Sequence, residues 1–203
     1  MKVAIIVGAR PQIIKVVPVI WKFREKDNIP YFLLHTGQHY DFEMSKIFFR
    51  ELNIPEPDVN LGVGSGSHGE QTGNMLKGIE QELMKAKPNL TIVPGDTNST
   101  LAGTLASVKL KIPVAHLEAG LRSFDFYMPE EINRRLTDAC SELLFAPTET
   151  AVYNLLREGI NKERIYNTGD TMYDLLIHCL KLNAARSFSY ERLESVPTND
   201  IAF

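Results

Sequence analysis

The sequence predicts an α/β protein built on a parallel sheet, and three observations carry that prediction. Short β-branched runs alternate with longer amphipathic ones, the rhythm of successive βα units. Each polar cluster of interest follows a strand candidate, so the clusters gather along the carboxyl edge of one sheet, where open α/β sheets bind ligands. The composition is ordinary for a globular chain: of 203 residues, 44% are hydrophobic and 23% charged. That excludes a disordered chain and suits one to two domains.

Taken in order, the apolar run Val3–Val7 is the first strand, and it is too short for a signal segment or a membrane span. Gly8-Ala9-Arg10-Pro11 turns the chain into a helix over 12–26, with Pro11 at its first position and Pro18 as an obstacle within it. Tyr31–Leu34 is the second strand, and a helix is expected over 43–51. Residues 53–69 break the rhythm, with two prolines and a glycine-rich stretch that reads as a mobile loop. Helices over 71–86 and 99–110 flank the strand Leu90–Val93. Next come the strand Pro113–Leu117 and a helix over 130–140, which opens with Pro129 and with Glu130 and Glu131 in its first turn. Leu143–Phe145, a helix over 148–158, Arg164–Asn167 and a helix over 171–183 complete the set. Residues 184–203 read as a linker and a strand just begun, so a lobe over 1–182 and a connection over 183–203 toward a second lobe are expected.

Charge and cysteine usage narrow the partners. The chain has 22 basic and 25 acidic residues, a net charge of −3, which gives no reason to expect nucleic acid or an anionic membrane. Cys140 and Cys179 form neither a disulfide framework nor a zinc site, so a reducing, cytoplasmic setting is expected.

Six clusters could carry chemistry. Gly8-Ala9-Arg10-Pro11 with Lys15 combines a tight turn, the free N–H groups of a helix start and two cations, the parts of an anion site; an ordinary strand-to-helix turn is the plainer reading. His35-Thr36-Gly37-Gln38-His39 offers Gln38 and His39 for ligand contact, without convincing metal spacing. Gly64-Ser-Gly-Ser-His-Gly69 matches a dinucleotide fingerprint literally, yet no buried strand precedes it and Asp96 comes late for a ribose acid. It reads better as a lid ending near Gln71. Gly95-Asp96-Thr97-Asn98 puts a carboxylate at a strand end among N-cap residues. His116-Leu-Glu118-Ala-Gly120-Leu-Arg122 puts Glu118 at the next strand end, although Glu118 and Arg122 could be a helix salt pair. Glu130 or Glu131 adds a third carboxylate to the same edge.

Gly-Ala-Arg-Pro with Lys15, Thr-Gly-Gln-His, Gly-Asp-Thr-Asn-Ser-Thr, His-Leu-Glu-Ala-Gly-Leu-Arg-Ser and Pro-Glu-Glu-Ile-Asn-Arg together resemble the non-hydrolysing UDP-N-acetylglucosamine 2-epimerases, in order from Met1 to about Leu182. The resemblance implies a Rossmann-like parallel sheet with helices on both faces, forming the N-terminal lobe of a GT-B-like two-lobed fold. It implies Arg10 and Lys15 near the UDP diphosphate, Asp96, Glu118 and Glu130 as catalytic acids, and Arg122 in the same substrate-binding motif. Gln38, His39 and Gln71 match positions that contact a second, regulatory UDP-sugar in bacterial members, where Glu70 replaces an arginine. Ala9 and Gln12 replace the usual Thr and Glu, and Pro94 is also unusual.

The implied reaction suits these residue types. C2–H of N-acetylglucosamine is not next to a carbonyl, but it becomes acidic as UDP leaves C1. Elimination gives 2-acetamidoglucal, UDP re-adds, and a proton returns to the opposite face. That requires an anion clamp and more than one acid/base; no nicotinamide or metal is needed. The expected partner is a UDP-sugar, with homodimerisation through outward helices left open. The competing readings are a hydrolysing epimerase releasing N-acetylmannosamine, a GT-B glycosyltransferase, and a binding lobe without catalysis.

Overall fold

The computed structural model describes residues 1–26, 29–38, 49–50 and 52–185, with side chains described through residue 181. Seven strands form one all-parallel sheet: β1 (Val3–Val7), β2 (Tyr31–His35), β3 (Val59–Asn60), β4 (Leu90–Pro94), β5 (Val114–Leu117), β6 (Leu143–Ala146) and β7 (Ile165–Asn167). Their order is β3-β2-β1-β4-β5-β6-β7. The chain runs outward from β1 to β3 and then returns to lay β4 against the other side of β1. The β1–β4 boundary is therefore the switch point at which such sheets open a crevice.

Helices α1 (Arg10–Glu25), α2 (His68–Ala86), α3 (Asn98–Lys109), α4 (Pro129–Cys140), α5 (Glu149–Arg157) and α6 (Thr171–Ala185) cover the sheet. Strand alternation decides which helices meet which face. Val3, Ile5 and Val7 of β1 are buried with Ile13, Val16, Val17 and Ile20 of α1 and Leu175 of α6. Ala4 and Ile6 face the other way, onto Met75, Ile79 and Leu83 of α2 and Ala102 and Ala106 of α3. A strand apolar at every position is what a sheet covered on both faces demands.

Element ends shift by a residue or two at several places, and three differences from the sequence expectation bear on the site. Helix α1 starts at Arg10 and continues through Pro18. Helix α2 starts three residues early because the Ser67 hydroxyl caps it, accepting the Glu70 N–H at 3.3 Å. The expected loop over 53–69 contains β3, which pairs Val59 and Asn60 with Leu34 and His35. Beyond β3 the chain stays pinned to the end of β2: Leu61, Val63 and Gly64 donate to the carbonyls of His35, Thr36 and Gly37 at 2.9, 3.1 and 2.7 Å. Of the helix expected over 43–51, only helical residues 49 and 50 lie among the described residues.

Candidate active site

The β1–α1 and β4–α3 turns meet at the switch point, and Gln12 fastens one to the other. Its buried carboxamide oxygen accepts the Gly8 and Ala9 N–H groups at 2.7 and 3.2 Å. Its Nε2 donates to the Pro94 carbonyl at 2.8 Å and the Thr100 hydroxyl at 2.9 Å. The turn packs so closely that a Cβ on Gly8 would lie 2.0 Å from Ser99 Oγ and 2.3 Å from Thr36 Oγ1. Only glycine fits there. Arg10 stands exposed at the start of α1.

Two carboxylate–cation pairs flank the β4–α3 turn. Lys15 Nζ lies 2.5 Å from Glu118 Oε2, with both side chains mostly buried. Arg134 Nη2, from α4, lies 2.5 Å from Asp96 Oδ2. Gly95 separates the pairs, at φ +67°. A Cβ there would sit 3.2 Å from Lys15 Nζ and 3.8 Å from Glu118 Oε2. Glu118 also holds a positive φ, +67°, a conformation that costs a non-glycine residue about 1–3 kcal/mol and often marks a functional position. It follows directly on β5 and places a carboxylate where the strand ends.

A cleft of about 390 Å³ opens beside these pairs, and Gln38, Gln71, Asp96, Asn98, Glu130 and Asn133 are among the residues lining it. Its amides form a connected relay. Gln71 Nε2 donates to the Gly64 carbonyl at 2.8 Å, and Asn98 Nδ2 to Gln71 Oε1 at 2.9 Å. Asn133 Nδ2 donates to the Asp96 carbonyl at 2.9 Å, while Gln38 Oε1 accepts from Ser99 Oγ at 2.7 Å. Glu130 enters with no hydrogen bond or ion pair among the described residues. Its neighbour Glu131 is wholly buried and is held by the Ser123 N–H at 2.9 Å and Arg135 Nε at 2.8 Å. Burial pushes the Glu131 pKa up, but the Ser123 and Arg135 contacts outweigh it and hold the carboxyl below its ordinary value. Of the two adjacent glutamates, Glu130 faces the cleft and Glu131 braces the helix.

The structure thus brings Asp96, Glu130, Gln38 and Gln71 to one cleft, with Lys15 and Glu118 adjoining across Gly95 and Arg10 at the neighbouring helix start. His39 lies outside the described residues. Arg122, expected in the substrate-binding motif, is not among the residues that line the cleft. Its side chain is fully buried, forked onto Glu158 at 2.8 and 2.6 Å and onto Asp138 at 2.8 Å, and it is not brought into the cleft. Two carboxylates already claim its donors. Arg134 supplies the cationic partner of Asp96 instead. Glu130, Asn133 and Arg134 are spaced three and four apart, one helix face, and that spacing was the signal available for Asn133 and Arg134. Gln12 stood out only as a departure from a motif, and nothing in the sequence singled out Asp138.

A larger hollow of about 1340 Å³ lies between α1 and α6, beside Trp21 and His178. None of the residues expected to act lines it. Among the described residues, no group of three His, Cys, Asp or Glu could hold a metal ion. None of their helices is long and apolar enough to cross a membrane.

A parallel sheet of this order, with helices on both faces and a carboxylate-bearing cleft at its carboxyl edge, is a Rossmann-like α/β fold. The chain belongs to the UDP-N-acetylglucosamine 2-epimerase family, whose model matches residues 22–201. It is 61% identical over 188 residues to a UDP-N-acetylglucosamine 2-epimerase homolog of Methanococcus maripaludis, covering 93% of this chain and 52% of that protein. It is 52% identical over 176 residues to the UDP-2,3-diacetamido-2,3-dideoxy-D-glucuronate 2-epimerase of Pseudomonas aeruginosa, covering 86% of this chain and 50% of that protein. The crystal structure of the Methanocaldococcus jannaschii UDP-GlcNAc 2-epimerase in complex with UDP-GlcNAc and UDP superposes with a TM-score of 0.88 at 56% identity, over 92% of this chain and 51% of that one. The galactosyltransferase WaaB shares the fold alone, at a TM-score of 0.57 and 15% identity. The chain spans about half the length of the relatives it matches.

Proposed function

We propose that this chain is the N-terminal lobe of an enzyme that interconverts UDP-N-acetylglucosamine and UDP-N-acetylmannosamine without hydrolysis. Residues 1–182 would form the lobe and 183–203 lead out of it. The observation that carries the reading is the Lys15–Glu118 pair beside Asp96 and Glu130: a cation suited to phosphate and a carboxylate suited to proton transfer are each other's partners. The names of the relatives, and the UDP-sugar and UDP bound to the Methanocaldococcus jannaschii enzyme, support the substrate class.

Arg10, Lys15 and the start of α1 receive the diphosphate, where the helix dipole favours negative charge. As the C1–O bond breaks, its electron pair leaves with UDP, and these cations stabilise the charge that develops. The same diphosphate draws Lys15 away from Glu118, leaving that carboxylate free to accept a proton. A carboxylate takes the C2 proton, and the C–H electron pair becomes the C1–C2 double bond of 2-acetamidoglucal. UDP then adds back through oxygen to C1 while a proton is delivered to the other face of C2. Delivery from the opposite face requires a second acid, so Glu118 and the Asp96–Glu130 side of the cleft divide the two roles.

Proton NMR of UDP-N-acetylglucosamine in D2O with the purified chain tests this. Broadened UDP resonances without exchange at C2 are expected, because this lobe supplies one side of the cleft. Deuterium at C2 with UDP-N-acetylmannosamine appearing would establish the epimerisation and show that one lobe suffices. Free N-acetylmannosamine would favour the hydrolysing reaction, and unbroadened UDP resonances would count against a UDP site.

A further inference from the structure

His116 lies inside β5, two residues before Glu118, and its side chain is fully buried. Both of its ring nitrogens have close partners. Nδ1 lies 2.6 Å from Asp138 Oδ1 of α4, and Nε2 lies 2.7 Å from the carbonyl oxygen of Gly95. A carbonyl oxygen can only accept, and an ionised carboxylate can only accept. Neutral imidazole carries one N–H and can satisfy one such partner; imidazolium carries two.

The surroundings of Asp138 decide where the shared proton sits. Its other oxygen, Oδ2, accepts the Gly120 N–H at 3.0 Å and an Arg122 Nη at 2.8 Å. A carboxylate receiving two further donors, one of them a guanidinium, is stabilised as the anion. A buried charge is tolerable only when paired and hydrogen-bonded, and here each partner is. Behind Arg122, Glu158 at the end of α5 closes the network at 2.6 Å.

We propose that His116 is held as an imidazolium between Asp138 and the Gly95 carbonyl, and that it is the positioning residue for the turn that carries Asp96. The inference rests on the reading of Asp96 and Glu118 as reacting carboxylates. The Gly95 N–H donates to the Leu117 carbonyl at 3.0 Å, so His116 supplies the second tie between this glycine and β5. The two bonds fix the positive-φ glycine whose bare Cα faces the Lys15–Glu118 pair, and they set where Asp96 leaves the strand. A unit positive charge beneath the Gly95 carbonyl also sharpens the dipole of the peptide that ends at the Asp96 N–H.

The test uses the 203-residue chain with 15N-labelled histidine, followed by long-range proton–nitrogen correlation at pH 7.5. His116→Gln assigns the resonances. Two protonated ring nitrogens are expected for His116, and in Asp138→Asn a single one, with the amide spectrum still dispersed. One bare ring nitrogen in the unmodified chain, or an unchanged pattern in Asp138→Asn, would overturn the proposal. Hydrogen exchange then reads the positioning. The Gly95 amide should exchange at least tenfold faster in both variants, while the Thr91 amide, bonded to the Pro113 carbonyl at the other end of the strand, stays as in the parent. Equal acceleration of both amides, or of neither, would refute a local role. Neither readout requires UDP to bind, so a failed UDP titration overturns the function and leaves these two results standing.

Discussion

Lys15 Nζ reaches Glu118 Oε2 at 2.5 Å across the bare Cα of Gly95, where a methyl group would stand 3.2 Å from the ammonium. The pair joins the cation proposed here to bind phosphate to the carboxylate proposed to accept a proton, and the missing side chain between them permits the approach.

Gly95→Ala should therefore disturb both partners. The substitution forces alanine to φ +67° and crowds Lys15, so a loss of roughly 1–2 kcal/mol is expected. Chemical denaturation measures it. UDP titration should show weaker binding than a stability loss alone produces; affinity equal to the parent would show that Lys15 does not need this seat.

Glu118→Gln, made in a two-lobed epimerase carrying this lobe, should abolish turnover while leaving UDP affinity intact or improved. The amide no longer competes with diphosphate for Lys15. Parallel loss of turnover and UDP affinity would contradict a proton-transfer role.

Arg10→Ala should weaken UDP by roughly ten- to a hundredfold, since a charge-assisted hydrogen bond contributes about 1.5–3 kcal/mol. Arg10 is exposed at the head of α1, so melting temperature should not move. Calorimetry at two salt concentrations checks both points, and unchanged affinity would remove Arg10 from the phosphate site.

The adjacent glutamates should separate cleanly. Glu131→Gln breaks a wholly buried arrangement with Arg135 and Ser123, and a loss of about 3 kcal/mol is expected. Glu130→Gln should leave the unfolding midpoint unchanged and act on turnover alone. Two variants of equal stability would mean that the helix is phased differently.

His35 predicts an acid-sensitive fold. Burial pushes its pKa down to about 4 from 6.5, although a hydrogen bond with Asn60 opposes the shift. The unfolded chain therefore takes up a proton that the folded chain refuses. This contribution is full above about pH 6.5 and is lost as the pH falls toward 4, up to ~3 kcal/mol. Nδ1 also accepts the Gly37 N–H at 3.0 Å, so protonation removes an acceptor from the turn after β2. Urea unfolding at pH 7 and pH 5, compared between the parent and His35→Gln, isolates the effect. The same pH slope in both would exclude His35 as its source.

Sequence alone determined the architecture, because the signals behind it are local. A five-residue apolar run with no polar face demands helices on both sides of a sheet, and Val3–Val7 is buried throughout. The position of a polar cluster after a strand already assigns it to the carboxyl edge, which is why Asp96, Glu118 and Lys15 could be named without coordinates. The order and spacing of the five motifs likewise pointed to the family that the chain belongs to.

Tertiary packing decided which of two neighbouring or equivalent side chains does what. Glu130 and Glu131 are both good first-turn acids, and only the rotation of α4 against the sheet sends one to the cleft and the other to Ser123. The same rotation delivers Arg134 to Asp96 and Asp138 to His116, while Arg122, in a motif expected to bind substrate, folds inward to meet Glu158 and Asp138. Strand β3 escaped notice because two residues carry no periodicity; its pairing with Leu34 and His35 exists only once β2 is in place. Helical phase, charge pairing across the chain and strand addition at a sheet edge are contacts between segments distant in sequence. No local pattern encodes them.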